Sequence, residues 1–129
     1  MLRGPATITF WADDLTAATK WYTEVLGTGP YFEVPGYVEF RIGDHLAELG
    51  LADSRYAPGG APARPGGAVV HWHVDDVAEA LDRLLKFGAR PHIPLTDRGE
   101  GFVTAAVADP FGNVLGVMYN PHYLEMLGR

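Results

Sequence analysis

Apolar and polar residues alternate along two short runs of the chain, and each run passes into a helical pattern. The stretches are ITFWADDLTAATKWYTEVLG and VVHWHVDDVAEALDRLLKFG. In both, a β-rich run ends in Asp-Asp and the apolar spacing then lengthens from two residues to three or four. Leu15, Ala18, Tyr22 and Val25 form one stripe, and Val77, Ala80, Leu81 and Leu84 form another. These predict helices over residues 15–26 and from 77 towards 88. Asp14 and Asp76 can accept the free N–H groups of the first turns, Glu79 stands at capping-box spacing from Asp76, and Gly27 and Gly88 supply the stops.

The remaining pattern predicts strands over residues 31–34, 37–42 and 45–51 after the first helix, and over 90–95, 102–108 and 114–119 after the second. Turn signals separate them at Pro35-Gly36, Gly43-Asp44, Asp97-Arg98-Gly99 and Pro110-Phe111-Gly112-Asn113. The order β-α-β-β-β therefore occurs twice, as a duplicated module rather than a solenoid. Modules are expected over about residues 1–56 and 68–120 of a single domain, with a Pro/Gly-rich linker at 57–67 and a C-terminal segment at 121–129. One helix covers only one face of its sheet. The expected class is α+β, with two βαβββ modules forming a curved mixed sheet, a cup, and helices on its outer face.

Composition narrows the function. No apolar run is long enough for a membrane span, and the N-terminal sequence has no long apolar stretch leading to a small-residue cleavage site, so a cytoplasmic location is expected. The absence of cysteine excludes disulfides and thiolate metal sites. A net charge of −6 without a basic cluster argues against nucleic acid and anionic membranes, and favours cationic ligands.

The segments DLTAATKWYTEVLG, VDDVAEALDRLLKFGA and VADPFGNVLGV together resemble the vicinal oxygen chelate superfamily, which includes glyoxalase I, bleomycin resistance proteins and extradiol dioxygenases. The resemblance implies a cup of paired βαβββ modules, commonly in homodimers. It also implies metal ligands on the opening and last strands of each module. Those positions fall on Thr7, Glu48 (or Ala47 with a shift of one), Val69 and Gly116. Valine and glycine offer no donor atom, and a neutral threonine is a poor substitute for imidazole. No metal and no cofactor are therefore expected, and the metal-dependent activities do not carry over.

Alternation places Val69, His71 and His73 on one strand face, and Val70, Trp72 and Val74 on the other. In the resembled fold the first set faces the cup, with Thr7, Thr9 and Trp11 from the first module and Val114, Gly116, Met118 and Asn120 from the last strand. The candidate ligand-binding residues are Thr9, Trp11, Glu48, His71, His73, Met118 and Asn120. Trp72 is expected beneath a helix.

Several readings stay open. One is a metal-free protein that binds a small cationic or aromatic molecule, for sequestration or resistance. A second is a metal-independent lyase or isomerase using His71 or His73 with Glu48 as acid and base. A third is a metalloenzyme with a displaced site, since His71 and His73 lie about 6–7 Å apart along a strand. The histidines could instead be structural, with backbone or water partners. The expected partners are a small-molecule ligand and a second copy of the chain.

Overall fold

A computed structural model describes residues 1–60 and 64–128. The chain forms two compact units, Met1–Ala63 and Arg64–Arg129. The division falls inside the predicted linker, of which residues 61–63 lie outside the described residues, as does Arg129 of the C-terminal segment.

The first unit runs β1 (Thr7–Ala12), α1 (Leu15–Leu26), β2 (Phe32–Val34), β3 (Tyr37–Ile42) and β4 (Ala47–Asp53), followed by a 3-10 turn. The second runs β5 (Val70–His73), α2 (Val77–Lys86), β6 (Arg90–Gly99), β7 (Phe102–Ala108), β8 (Val114–Tyr119) and α3 (Pro121–Leu127). The strands ladder as two four-stranded sheets, ordered β1-β4-β3-β2 and β5-β8-β7-β6. The α+β class and the two βαβββ modules are as the sequence predicts. In each module the opening strand lies parallel to the last, and the other pairs are antiparallel.

The helices begin and end where capping chemistry places them. Asp14 Oδ1 accepts the N–H of Ala17 at 3.0 Å, and Gly27 ends α1 at φ 73°. Asp76 Oδ1 accepts the N–H of Glu79 at 3.0 Å, and Gly88 follows α2 at φ 101°. In the first unit, Ala18, Trp21 and Tyr22 of α1 are buried together with Phe10, Val38, Phe40, Leu49 and Leu51. The Tyr22 ring meets Phe10 at 6.1 Å and Trp21 edge-on at 4.8 Å. Burial of a side chain such as Phe40 or Leu49 stabilises the fold by about 1.5–3 kcal/mol. In the second unit α2 packs on β6, β7 and β8. Val77, Leu84, Ala105, Val107, Leu115 and Val117 are buried there.

Two strands depart from expectation. The strand expected at 45–51 is Ala47–Asp53. Gly43 at φ 69° and Leu46 at φ 52° close a turn, with the Leu46 N–H on the Gly43 carbonyl at 3.3 Å, so His45 and Leu46 stay out of the ladder. The strand expected at 90–95 runs on to Gly99. It lies at the edge of its sheet, where Pro91 and Pro94 are tolerated, and shifts register three times along its length. The turn expected at 97–99 accordingly moves to Glu100 and Gly101, both left-handed.

The DPFGN turn between β7 and β8 is built on a buried carboxylate. Asp109 Oδ1 accepts the N–H groups of Phe111 at 2.9 Å and Asn113 at 2.8 Å, and its Oδ2 accepts from Asn113 Nδ2 at 2.9 Å. This closure fixes the β7–β8 register, which sets Gly116 opposite Ala106. Asp109→Ala strips the acceptors from those donors and should lower the unfolding free energy by about 2–3 kcal/mol. Urea denaturation checks this, with Asp76→Ala, the loss of a cap, expected near 1 kcal/mol. A loss at Asp109 no larger than at Asp76 would contradict the assignment.

Candidate functional site

The register brings three rows of side chains onto the helix-free face of the first sheet. They are Thr7, Glu48 and Arg41; Thr9, Gly50, Glu39 and Phe32; and Trp11, Ala52, Tyr37 and Val34. The opposite positions, Phe10, Val38, Phe40, Leu49 and Leu51, are those buried with α1. The Thr7 hydroxyl donates to Glu48 Oε2 at 2.9 Å, and the Tyr37 hydroxyl donates to Glu39 Oε1 at 2.6 Å. The Arg41 guanidinium lies over the Tyr31 ring, 3.9 Å from its centroid. Among the described residues neither glutamate has a cationic side chain at ion-pair distance. Withdrawal from water, then the hydrogen bond to Glu39, then the charges of Glu39 and Glu48 push the Tyr37 phenol up to about 12. Tyr37 is thus a neutral donor at physiological pH.

The second sheet presents a different set. His71, Gly116 and Ala106 form one row, and His73, Met118 and Thr104 the next. His71 is exposed. His73 is not open to a ligand as expected: its side chain keeps only 8% of its exposure. Its Nδ1 accepts the N–H of Asn120 at 3.1 Å, and its ring stacks on Tyr123 of α3 at 4.8 Å. Nε2 faces Asp75 at 3.7 Å, too far for a hydrogen bond, and is buried without a partner.

Asn120 caps α3 by accepting the Tyr123 N–H at 3.0 Å, and its Nδ2 reaches the Met118 sulfur at 3.7 Å. His73, Met118 and Asn120 therefore secure the junction of β8 with α3. Trp72 points away from the histidines, as alternation requires, but it is half-buried. β5 is the edge of its sheet, and α2 packs mainly on the other three strands. A hollow of about 290 Å³, lined by Asp75, Asp76, Val77, Ala78, Leu95, Val103 and Tyr119, opens at the start of α2.

Thr9, Trp11 and Glu48 share this face with Tyr37, Glu39, Arg41 and Gly50, which are not among the expected ligand-binding residues. The signal was present in YVEFRI, whose odd members alternate with the buried Val38, Phe40 and Ile42.

Residues 4–117 match the Glyoxalase/Bleomycin resistance protein/Dioxygenase superfamily. The chain belongs to that superfamily. Solved structures with the same fold include a glyoxalase-related enzyme from Fulvimarina pelagi, at 25% identity and TM-score 0.76 over 93% of this chain and 90% of that one. Another is lactoylglutathione lyase from Agrobacterium tumefaciens, at 22% identity and TM-score 0.71 over 95% and 98%. A third is a glyoxalase/bleomycin resistance protein from Catenulispora acidiphila, at 20% identity and TM-score 0.64 over 89% and 96%. No curated protein matches the chain in sequence.

Metal-using branches of the superfamily invite a test of fit. Thr9 pairs with Gly50 just as His71 pairs with Gly116, so the first-module counterpart of Gly116 is Gly50, two residues beyond Glu48. Glu48 instead pairs with Thr7. A Cβ at Gly50 would lie 2.5 Å from the Tyr37 hydroxyl oxygen, and one at Gly116 would lie 2.8 Å from His71 Cδ2. Among the described residues no three His, Asp or Glu side chains come together as a metal set. Neither glycine offers a metal a side-chain donor at these positions.

The position of Tyr37 predicts a pH dependence. Its folded pKa of about 12 exceeds the ordinary 10.0. Its stabilising contribution is therefore complete below pH 10 and is lost as pH rises from about 10 to about 12. Tyr37→Phe should remove the late tyrosine ionisation from an alkaline absorbance titration and flatten the fall in stability across that window. An unchanged titration would contradict the environment described.

Proposed function

We propose that this protein binds a small aromatic cation without the aid of a metal, on the helix-free face of its first sheet. The observation that carries the reading is the state of Glu39 and Glu48. Each carboxylate is hydrogen-bonded to a hydroxyl, from Tyr37 and Thr7, rather than paired with a cation. A hydroxyl partner leaves the negative charge in place. Trp11 and Tyr37 share the face, and Phe32, in register with Glu39, is 46% exposed. Aromatic faces beside carboxylates suit an organic cation, with each cation–π contact worth about 0.5–2 kcal/mol. Sequestration of such a molecule is the role this chemistry fits.

The alternatives lose a participant. A His71–His73 chelate would need nitrogens of His73 that are held by the Asn120 N–H or buried beneath α3. Proton transfer would fall to His71, the exposed histidine of the pair.

The test is a panel of aromatic cations and neutral isosteres, followed by tryptophan fluorescence and calorimetry. Glu48→Gln and Glu39→Gln should each weaken cation binding about tenfold, roughly 1.4 kcal/mol, while leaving neutral compounds unaffected. Trp11→Ala should weaken both classes. Neutral isosteres binding as tightly as cations, with no response to either Gln variant, would overturn the reading.

Leu124, Met126 and Leu127 leave apolar surface exposed on α3, and a homodimer is part of the same proposal. Sedimentation at micromolar concentration should give twice the 14.0 kDa chain mass. A concentration-independent monomer would refute it.

A further inference from the structure

We propose that Gly50 and Gly116 are positioning residues, each keeping open the space in which a neighbouring ring lies across the helix-free face of its sheet. At Gly50 the ring is Tyr37, and at Gly116 it is His71. The inference deepens the binding reading by naming what orients one of its rings, Tyr37, and it rests on that reading only for the ligand.

Glycine inside a strand needs a reason, because it carries conformational entropy and no packing. Backbone conformation does not supply one here. Neither Gly50 nor Gly116 adopts a positive φ, although many other glycines of the chain do. Both are buried in the strand that lies parallel to the opening strand of the module. The space beside them does supply a reason. The three atoms nearest a Cβ at Gly50 would all belong to Tyr37, with the hydroxyl oxygen at 2.5 Å, Cε1 at 2.7 Å and Cζ at 2.9 Å. At Gly116 it would meet His71 Cδ2 at 2.8 Å and Cγ at 3.0 Å, and also the Val70 carbonyl oxygen at 2.9 Å.

The two sites differ in a way that makes the proposal testable. At Gly50 the three nearest obstructing atoms belong to one side chain, which could swing away. At Gly116 one obstruction is backbone, which cannot. Tyr37 is held in its place by its hydrogen bond to Glu39. Any side chain at position 50 must displace the ring and break that bond, which removes the neutral donor from beside the carboxylates.

Urea denaturation and alkaline tyrosine titration of four glycine variants, each read against its background, decide the matter. Gly50→Ala should lower the urea midpoint and return the late tyrosine ionisation from about 12 towards 10.0, a signature that generic destabilisation does not produce. In a Tyr37→Ala background the same Gly50→Ala change should leave the midpoint unchanged or raise it, since Ala suits a strand better than Gly. Gly116→Ala should lower the midpoint alone, and by less in a His71→Ala background, where only the Val70 carbonyl of those obstructions remains; equal losses in the two would overturn the assignment of His71. Gly50→Ala with an unaltered midpoint and titration would overturn the proposal, as would equal losses with and without the Tyr37 ring. Should cation affinity still depend on Glu48 in that event, the binding reading would survive and the positioning role alone would fall.

Discussion

Parallel pairing of each module's opening strand with its last strand is the constraint from which the candidate site follows. It sets Thr7 beside Glu48 and Thr9 beside Gly50 in one sheet, and His71 beside Gly116 in the other. Because side chains alternate, one choice of register decides both faces at once. A slip of one residue would turn Phe10 and Leu49 to the helix-free face and bring Thr9 and Glu48 beneath α1. Burial of Phe40, Leu49 and Leu51 against the Trp21 and Tyr22 helix opposes such a slip. The polar face is therefore held by the apolar one.

The duplication has kept its geometry and changed its chemistry. By register, Trp11 corresponds to His73, Tyr37 to Thr104, Glu39 to Ala106 and Glu48 to Val114. The first face carries carboxylates and aromatic rings. In place of the carboxylates the second has Ala106 and Val114, and its Thr104 accepts from Arg98 Nε at 3.1 Å. The proposed attraction for a cation accordingly rests on the first module. In the second, the opening-strand position equivalent to Trp11 has become a structural histidine under α3. Glycine persists at the matched positions 50 and 116, each with a ring in the space its side chain would take. Superfamily membership thus accounts for the fold, while the rings and carboxylates account for the chemistry proposed.

Much of the fold was legible because independent signals agreed. At residues 15–26 the apolar stripe, the Asp14 cap and the Gly27 stop all marked the same helix. Strands 37–42, 102–108 and 114–119 carried clear alternation or β-rich runs between strong turns, and they form as expected. The left-handed Leu46 carried no such signal, since a leucine rarely takes that conformation. The tolerance of β6 for Pro91 and Pro94 depends on its place at a sheet edge, which local pattern does not reveal. The site divides similarly. Alternation put Thr9 and Trp11 on one face, and the resemblance to the superfamily singled out that face and Glu48. His73 was misread because its cover, Tyr123, comes from a helix fifty residues later in the chain. Tyr37 was not singled out because aromatic residues of strands are usually core, and Glu39 because the resemblance directed attention to the opening and closing strands.

The central claim is that a ligand meets the polar, aromatic face of the first sheet and no other surface. Backbone amide mapping by NMR, during titration with an aromatic cation, addresses it directly. The account predicts shifts concentrated at Thr7, Thr9, Trp11, Tyr37, Glu39 and Glu48, with little change along α2 or at His73. Shifts centred instead on Asp75, Val77, Leu95 and Tyr119, around the hollow at the start of α2, would contradict it.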